Sequence, residues 1–430
     1  MNFVYKFVFF NFIFITFISI SSSAFGFENS FSAEIINTYQ KYFHNFKNVE
    51  DQQNYLQIKI KNTSEINNTF QLNLNPEYRV LQNLNTKLAD HDFEFHDTNL
   101  EMRLNNSSLR IGFFHLKKEG ADIFDPLDYF ESKNLSNPIK MDKKSILGFK
   151  FEHELSSKFL LETVFSPKQS VTKLPNTNSP WFPRENKLPT ANQSYQLNIP
   201  ESVEYQIQSN DAKNQKDLTN AWLVKIKMIF SSVDWIFQVA ESTSSQPIIT
   251  PTLNGALIST TPYVIELNNP ILLDINWTKS KYYGTGIVKT FSESGLIFKF
   301  FYNLESNNSN KDSVAIALEK QILDHTFIIE HSRQFLKTED SAQLVTSSNL
   351  FADAWGLGVR LVITEKISSI LGGIYDSNSR GYIFNVKNKY QINDHWYLEL
   401  NYMNLYGPTS SLLSHFDKND NLSLAIGALF

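Results

Sequence analysis

The sequence predicts an all-β protein: a transmembrane antiparallel β-barrel of about 16 strands, within a range of about 14–18, with a short N-terminal α-helix. Three observations predict it. The chain opens with an export signal, most of its 430 residues alternate with period two, and its last strand ends on an aromatic.

Residues 1–26 carry one charge, Lys6. An apolar stretch Phe7–Ile20 follows, then the small residues Ser21–Ala24 and Gly26. That order is the pattern of a secretory signal peptide, with a small-x-small site ending at Gly26. The uncharged run Ser242–Ile265 contains three prolines and many hydroxyls, so it does not read as a spanning helix.

Residues 27–54 depart from alternation. Ile35, Ile36, Tyr39, Tyr42, Phe43 and Phe46 recur at helical spacing, with Ser32 as the cap. The expectation is an amphipathic helix over 32–48, packed at the barrel mouth or plugging the lumen. The piece Leu56–Lys61 alternates but finds no place in this scheme.

Residues 55–430 form the barrel domain. Trp222, Val224, Ile226, Met228 and Phe230 share one face, with Lys225 and Lys227 opposite. Trp355, Leu357, Val359, Leu361 and Ile363 oppose Gly356, Gly358 and Arg360. Trp396, Leu398, Leu400 and Tyr402 oppose Glu399 and Asn401. Such segments approach the ~9–11 residues of a tilted membrane strand, longer than an average soluble strand. Aromatics at their ends suit the two interfaces.

In the last strand, Leu422, Leu424, Ile426, Ala428 and Phe430 share a face. An ending of this kind resembles the terminal signal read by the outer-membrane barrel assembly machinery, with Phe430 as its key residue. Counting back from Phe430 places short turns at 105–107, 156–158, 231–233, 292–294, 321–324, 364–366 and 391–394, with the first strand near 69–80. Long loops fall at 117–145, 167–219, 243–270 and 335–354, too long for simple turns.

One stretch resembles a known family. Leu109-Arg110-Ile111-Gly112, followed by Ala121-Asp122-Ile123-Phe124-Asp125-Pro126-Leu127-Asp128, looks like the pattern L-R-x-G-x-Q, W-G, A-D-x-F-x-P-L-D. Leu161–Pro167, Leu174-Pro175, Ser179-Pro180-Trp181 and Asp234-Trp235 resemble its later blocks. The pattern belongs to a family of large bacterial outer-membrane barrels of unassigned function, near the alginate-export and porin-like groups. The likeness covers roughly residues 109–240. Phe114 stands where the family has Gln, and Lys118-Glu119 where it has Trp-Gly. The resemblance implies a barrel and implies no enzymatic activity.

With an apolar outer face, the polar face meets the lumen. Arg110, Lys150, Glu152, Glu162, Lys225, Lys227, Lys299, Glu319, Glu330, Arg360, Lys387 and Glu399 are then inward, a small cationic excess that points toward anions. The three-residue spacing of Asp122, Asp125 and Asp128 around Pro126 in loop 117–145 suits a structured loop with capped turns. Calcium binding, against which the spacing argues, and a place lining the constriction are the two alternative readings of these acids. Arg110, Asp122, Asp125, Asp128, Lys225, Lys227 and Arg360 are the candidate pore and loop residues.

His331-Ser332 invites comparison with barrel hydrolases. Adjacent strand residues point to opposite faces, however, so these two do not share a proton. No catalytic residue, metal site or cofactor is expected. Absence of cysteine removes thiolate sites, and 44 acids against 39 bases argue against nucleic acid.

The expectation is a porin-like channel in the outer membrane of a Gram-negative bacterium, for passive diffusion or export of small or medium solutes. Its partners are outer-membrane lipid, the assembly machinery and the solute; a homo-oligomer stays open. The alternative is a non-conducting surface barrel whose loops bind a partner.

Overall fold

The structure, a computed structural model, describes residues 28–44, 51–83, 89–175, 179–181, 196–198, 205–209, 218–306, 311–336 and 351–430, except loop positions 138, 140–141, 245–247, 253, 262, 269, 379, 409–412 and 414–415. The signal peptide expected over 1–26 lies outside these residues.

Eighteen strands form one sheet. They are β1 (Glu28–Tyr42), β2 (Gln52–Glu65), β3 (Phe70–Asn83), β4 (Ala89–Leu104), β5 (Ser107–Phe114), β6 (Ile146–Ser156), β7 (Phe159–Lys168), β8 (Thr219–Phe230) and β9 (Val233–Thr243). The second half holds β10 (Lys279–Phe291), β11 (Leu296–Ser306), β12 (Lys311–Ile322), β13 (His325–Leu336), β14 (Asp353–Thr364), β15 (Ile367–Asp376), β16 (Gly381–Gln391), β17 (Trp396–Tyr406) and β18 (Asn421–Leu429). Each pairs antiparallel with its neighbours in sequence, and β1 also pairs with β18, from Glu34↔Leu429 to Tyr42↔Asn421. The sheet is therefore a closed barrel with no free edge, the form in which a sheet crosses a bilayer with every backbone group paired.

The strand count is 18, not 16, and the two extra strands are β1 and β2. The helix expected over 32–48 is a correction: residues through Tyr42 are strand β1, and 45–48 lie outside the described residues. Phe31, Asn37, Tyr39, Lys41 and Phe43 are exposed on its outer side, while Tyr42 is buried inside. Ile36 and Tyr42 point inward and Asn37 and Lys41 outward, so the polar-apolar alternation fails and the apolar residues fall by chance at spacings of three and four. Strand β2 takes up the unplaced piece Leu56–Lys61.

All seven expected short turns join strands where the alternation placed them. At the first, Asn105 takes a positive φ, which asparagine tolerates. The turn at 66–69 is the eighth at that end. The opposite end carries the long loops, here spanning 115–145, 169–218, 244–278 and 337–352, with 407–420 in addition. Two of them are zipped together: Gln196–Asn198 runs parallel to Tyr263–Leu267, and Tyr205–Ser209 parallel to Ile271–Asn276.

The outer wall is apolar. Trp222, Val224, Ile226, Trp235, Phe237, Trp355, Leu400 and Ile426 all stand exposed on it. Burial of this surface against lipid is what an isolated barrel lacks in water. At the seam, Phe430 and Ala33 exchange backbone bonds at 2.9 and 3.0 Å. Gly427 leaves room for the Tyr397 ring, and that phenol donates to Glu34 at 2.9 Å.

Candidate functional site: the constricted lumen

The loop between β5 and β6 folds into the barrel. Asp122, Ile123 and Phe124 point three successive backbone N–H groups at Glu330 on β13, with donor–acceptor distances of 2.5, 2.8 and 2.9 Å. Glu330 is buried on the lumen face, roughly opposite the loop's root. A carboxylate receiving several N–H bonds is a strong anchor, because each bond is charge-assisted.

Further contacts spread the loop along the wall. Gln238 on β9 donates to the Leu127 carbonyl at 3.0 Å, and Tyr129 stacks on Tyr282 of β10 with centroids 3.9 Å apart. Lys299 on β11 lies 3.2 Å from Asp122, and Lys227 on β8 lies 3.0 Å from Glu119. Glycines make the close approach possible: a side chain at Gly284 or Gly356 would collide with Leu127 or Ile123. At the mouth, Trp181, Phe351, Leu413 and Phe416 from three other loops pack on Ile383 and Leu405 of the wall. The passage is thus narrowed by loops that fold inward against the wall, the β5–β6 loop on β8–β14 and the others on β16 and β17.

The expected pore residues fall into distinct roles. Asp122 is half exposed and faces Lys299. Asp128 is bound by Lys143 at 2.8 Å and Lys133 at 3.6 Å. Burial alone would raise its carboxyl, but these two ammoniums hold it below the usual range. Asp125 is tucked beneath Gly120 and accepts the Leu127 N–H at 3.0 Å. Burial, then the Asp128 charge, pushes its pKa up to about 6. The three acids make different contacts, and among the described residues they form no group that could hold a metal ion.

Arg110 lies 3.4 Å from Glu101 and 3.8 Å from Glu152. Lys225 lies 3.1 Å from Glu162 and 3.5 Å from Glu119. Lys227 is held between Glu119 and Asp234, each within 3.1 Å. Arg360 sits apart toward the short-turn end, exposed and paired with no described residue.

The small cationic excess disappears in this arrangement. Sequence reasoning missed the acids of β3, β4 and the loop: Glu77, Glu101, Glu119 and Glu131 each pair with a lumen base or histidine. The signal was present in Glu94, Asp92 and Glu101 alternating along β4. A β-bulge hid it, because the register shifts between Asn73 and Asn75 and flips the face midway.

His331 and Ser332 do part company. His331 is 3.0 Å from Asp353 and stacks near Trp355 on the outer wall, while Ser332 is buried inside.

The Asp125 geometry carries a pH prediction. A carboxyl raised from 3.8 to about 6 when packed favours the packed loop in its protonated form. That contribution is full below 3.8 and is lost as pH rises through about 6. Asp128, Lys118 and Lys143 face the same carboxyl; Asp128, held below the usual carboxylate range, and Lys143, held above the usual ammonium range, stay charged across this window. The loop should seat more firmly, and conductance should fall, on going from neutral pH to pH ~5, with a midpoint near 6 that Asp125→Asn removes. A midpoint unmoved in that variant assigns the transition elsewhere.

The fold has solved counterparts. The chain superimposes on Pseudomonas aeruginosa OccK5 (OpdH) with a TM-score of 0.53 at 9% identity, covering 94% of this chain and 97% of that one. For Acinetobacter baumannii OccAB4 the values are 0.55, 10%, 94% and 97%. For P. aeruginosa OccK2 (OpdF) they are 0.54, 7%, 94% and 97%. The fold, a closed antiparallel 18-stranded barrel, is shared with these Occ/Opd proteins. At such identities the likeness is one of architecture. No protein-family model matches the chain, and no curated protein matches it. The alginate-export-like pattern over residues 109–240 therefore gains no support from a family model.

Proposed function

We propose that this chain is an outer-membrane channel of a Gram-negative bacterium, through which small hydrated solutes diffuse passively. The observation that carries the reading is the loop anchored across the lumen by Glu330 inside a closed barrel with an apolar wall. The architecture shared with the Occ/Opd porins supports it over the surface-binding alternative. In this reading the long loops face outward, the short turns face the periplasm, and the terminal strand with Phe430 is what the assembly machinery recognises.

Pairing of most lumen charges makes selectivity a matter of size and of polar contacts more than of net charge. The channel should then conduct with only weak preference between cations and anions. Purified protein in a planar bilayer checks this: stable unitary current with a small reversal potential in a salt gradient is expected. A folded barrel that inserts and never conducts would overturn the channel reading and favour loops that bind a partner.

A further inference from the structure

Phe351 lies just before β14, and its backbone is left-handed, with a φ of 63°. Glycine and asparagine accept that conformation, but in a bulky residue the Cβ crowds the following carbonyl. Such strain persists only where the surroundings hold it, and it gathers at clamps and switches. Three contacts hold it here. The Phe351 N–H donates to Asp376 at 3.1 Å, at the end of β15, and Asp376 is buried. The ring is buried with Trp181, Leu413 and Phe416 of the mouth and Ile383 and Leu405 of the wall. The same ring meets Phe124 of the constriction loop, with centroids 6.4 Å apart.

The chain after Phe351 is fixed to the barrel. The Ala352 carbonyl accepts the Gln334 N–H at 2.7 Å, and the Asp353 carbonyl accepts the Ser377 N–H at 2.8 Å. The contact with Phe124 is also built in, because Gly356 on β14 leaves the room that Ile123 and Phe124 fill. Phe124 is therefore held twice, through its N–H by Glu330 and through its ring by Phe351. The second hold works against a strained backbone. Packing and the Asp376 bond favour the clasped ring, while the left-handed φ favours its release. Opposed contributions of this kind leave two arrangements close in free energy.

We propose that Phe351 is a strained latch on the constriction: left-handed, it clasps Phe124 and keeps the passage narrow; relaxed, it releases Phe124 and the passage widens. Release turns the Phe351 N–H off Asp376 and takes the ring out of the mouth cluster. Phe124 then keeps its backbone bond to Glu330 and loses the support of its ring. The other neighbours of the latch, Trp181, Leu413 and Phe416, belong to outer loops, so the aperture is tied to the packing of the outer mouth.

The change of width rests on the chain's being a channel, whereas the coupling of Phe351 to the loop tip does not, and two readouts separate them. Single-channel records of the purified protein in a planar bilayer should show two conductance levels. Asp376→Ala, which keeps both rings, should lengthen the time in the upper level by about tenfold, and Phe351→Ala should make that level prevail. Phe124→Leu, which leaves residue 351 intact, should also favour it. Hydrogen exchange in detergent should quicken by about tenfold at residues 122–124 in Asp376→Ala and Phe351→Ala. Phe351→Gly against Phe351→Val isolates the strain. Glycine accepts a left-handed backbone and valine does not, so the residue-351 amide should stay protected with glycine and exchange fast with valine. Side-chain packing alone gives the reverse order. Heat-dependent gel mobility confirms that each variant is folded. Unchanged exchange at 122–124 overturns the latch, as does a valine variant no less protected than the glycine one, or one conductance level common to parent and variants. A chain that shows the exchange pattern but never conducts overturns the channel reading and leaves the coupling of Phe351 to the loop tip standing.

Discussion

Replacing Glu330 with alanine is expected to raise the single-channel conductance by about twofold or more, and to make the current noisier. The carboxylate receives three backbone N–H groups from Asp122, Ile123 and Phe124. Hydrogen bonds to a charged group contribute about 1.5–3 kcal/mol each, and buried donors left without an acceptor lose that again in desolvation. Among the described residues, no other side chain accepts as many of the loop's backbone N–H groups. Among the remaining contacts, Gln238 to the Leu127 carbonyl and Tyr129 on Tyr282 hold the half of the loop beyond residues 122–124, and Lys299 and Lys227 pair with Asp122 and Glu119. Glu330→Gln keeps one acceptor oxygen and should fall between the two. Asp122→Asn is the control: its pair with Lys299 is half exposed, where such pairs contribute about 0–1 kcal/mol. A second readout is independent of current. Trypsin should cut after Lys117 or Lys118 faster in Glu330→Ala than in the parent. Conductance and cleavage both unchanged would mean that Glu330 is not the anchor and that the loop's other wall contacts hold it.

Much of the barrel was legible in the sequence, and the reason is local. Where a strand has lipid on one side and water or paired charge on the other, as in β8, β14 and β17, its outer face is continuously apolar, and polar residues mark most of the short turns. β1 was not legible because Ile36 and Tyr42 turn inward and Asn37 and Lys41 outward. Its strand character is imposed by pairing with β2 and β18, which are far apart in sequence from each other.

The site was legible in a different degree. The loop and its acids were evident from length and composition, and Arg110, Lys225 and Lys227 from strand parity. What no sequence pattern holds is the partnership between Glu330 and residues 122–124, more than 200 positions away. The bulge in β4 is equally silent, since a single extra residue leaves no compositional mark.

The second large effect is on stability, and it decides how wet the lumen is. Glu162 on β7 lies 3.1 Å from Lys225 and 3.6 Å from Lys150, and all three side chains are at most 5% exposed. Removing one member of a buried ion pair typically costs about 3–5 kcal/mol, because the remaining charge is left without compensation. Here Lys150 keeps Glu152 at 3.1 Å and Lys225 keeps Glu119 at 3.5 Å. The expected loss for Glu162→Gln is therefore near the lower end, about 3 kcal/mol, read as a drop in the urea midpoint of the barrel in detergent. Adding Lys225→Met should recover part of it, since the uncompensated ammonium is then gone. If instead Glu162→Gln leaves the midpoint in place, water reaches Lys150 and Lys225 freely. The three residues would then be pore-lining charges, and the same substitution should shift ion selectivity toward anions. A large loss of stability with unchanged selectivity places the triad in the wall beneath the loop, outside the path of the solute. The two measurements together thus separate the charges that hold the constriction from those that meet the permeant molecule.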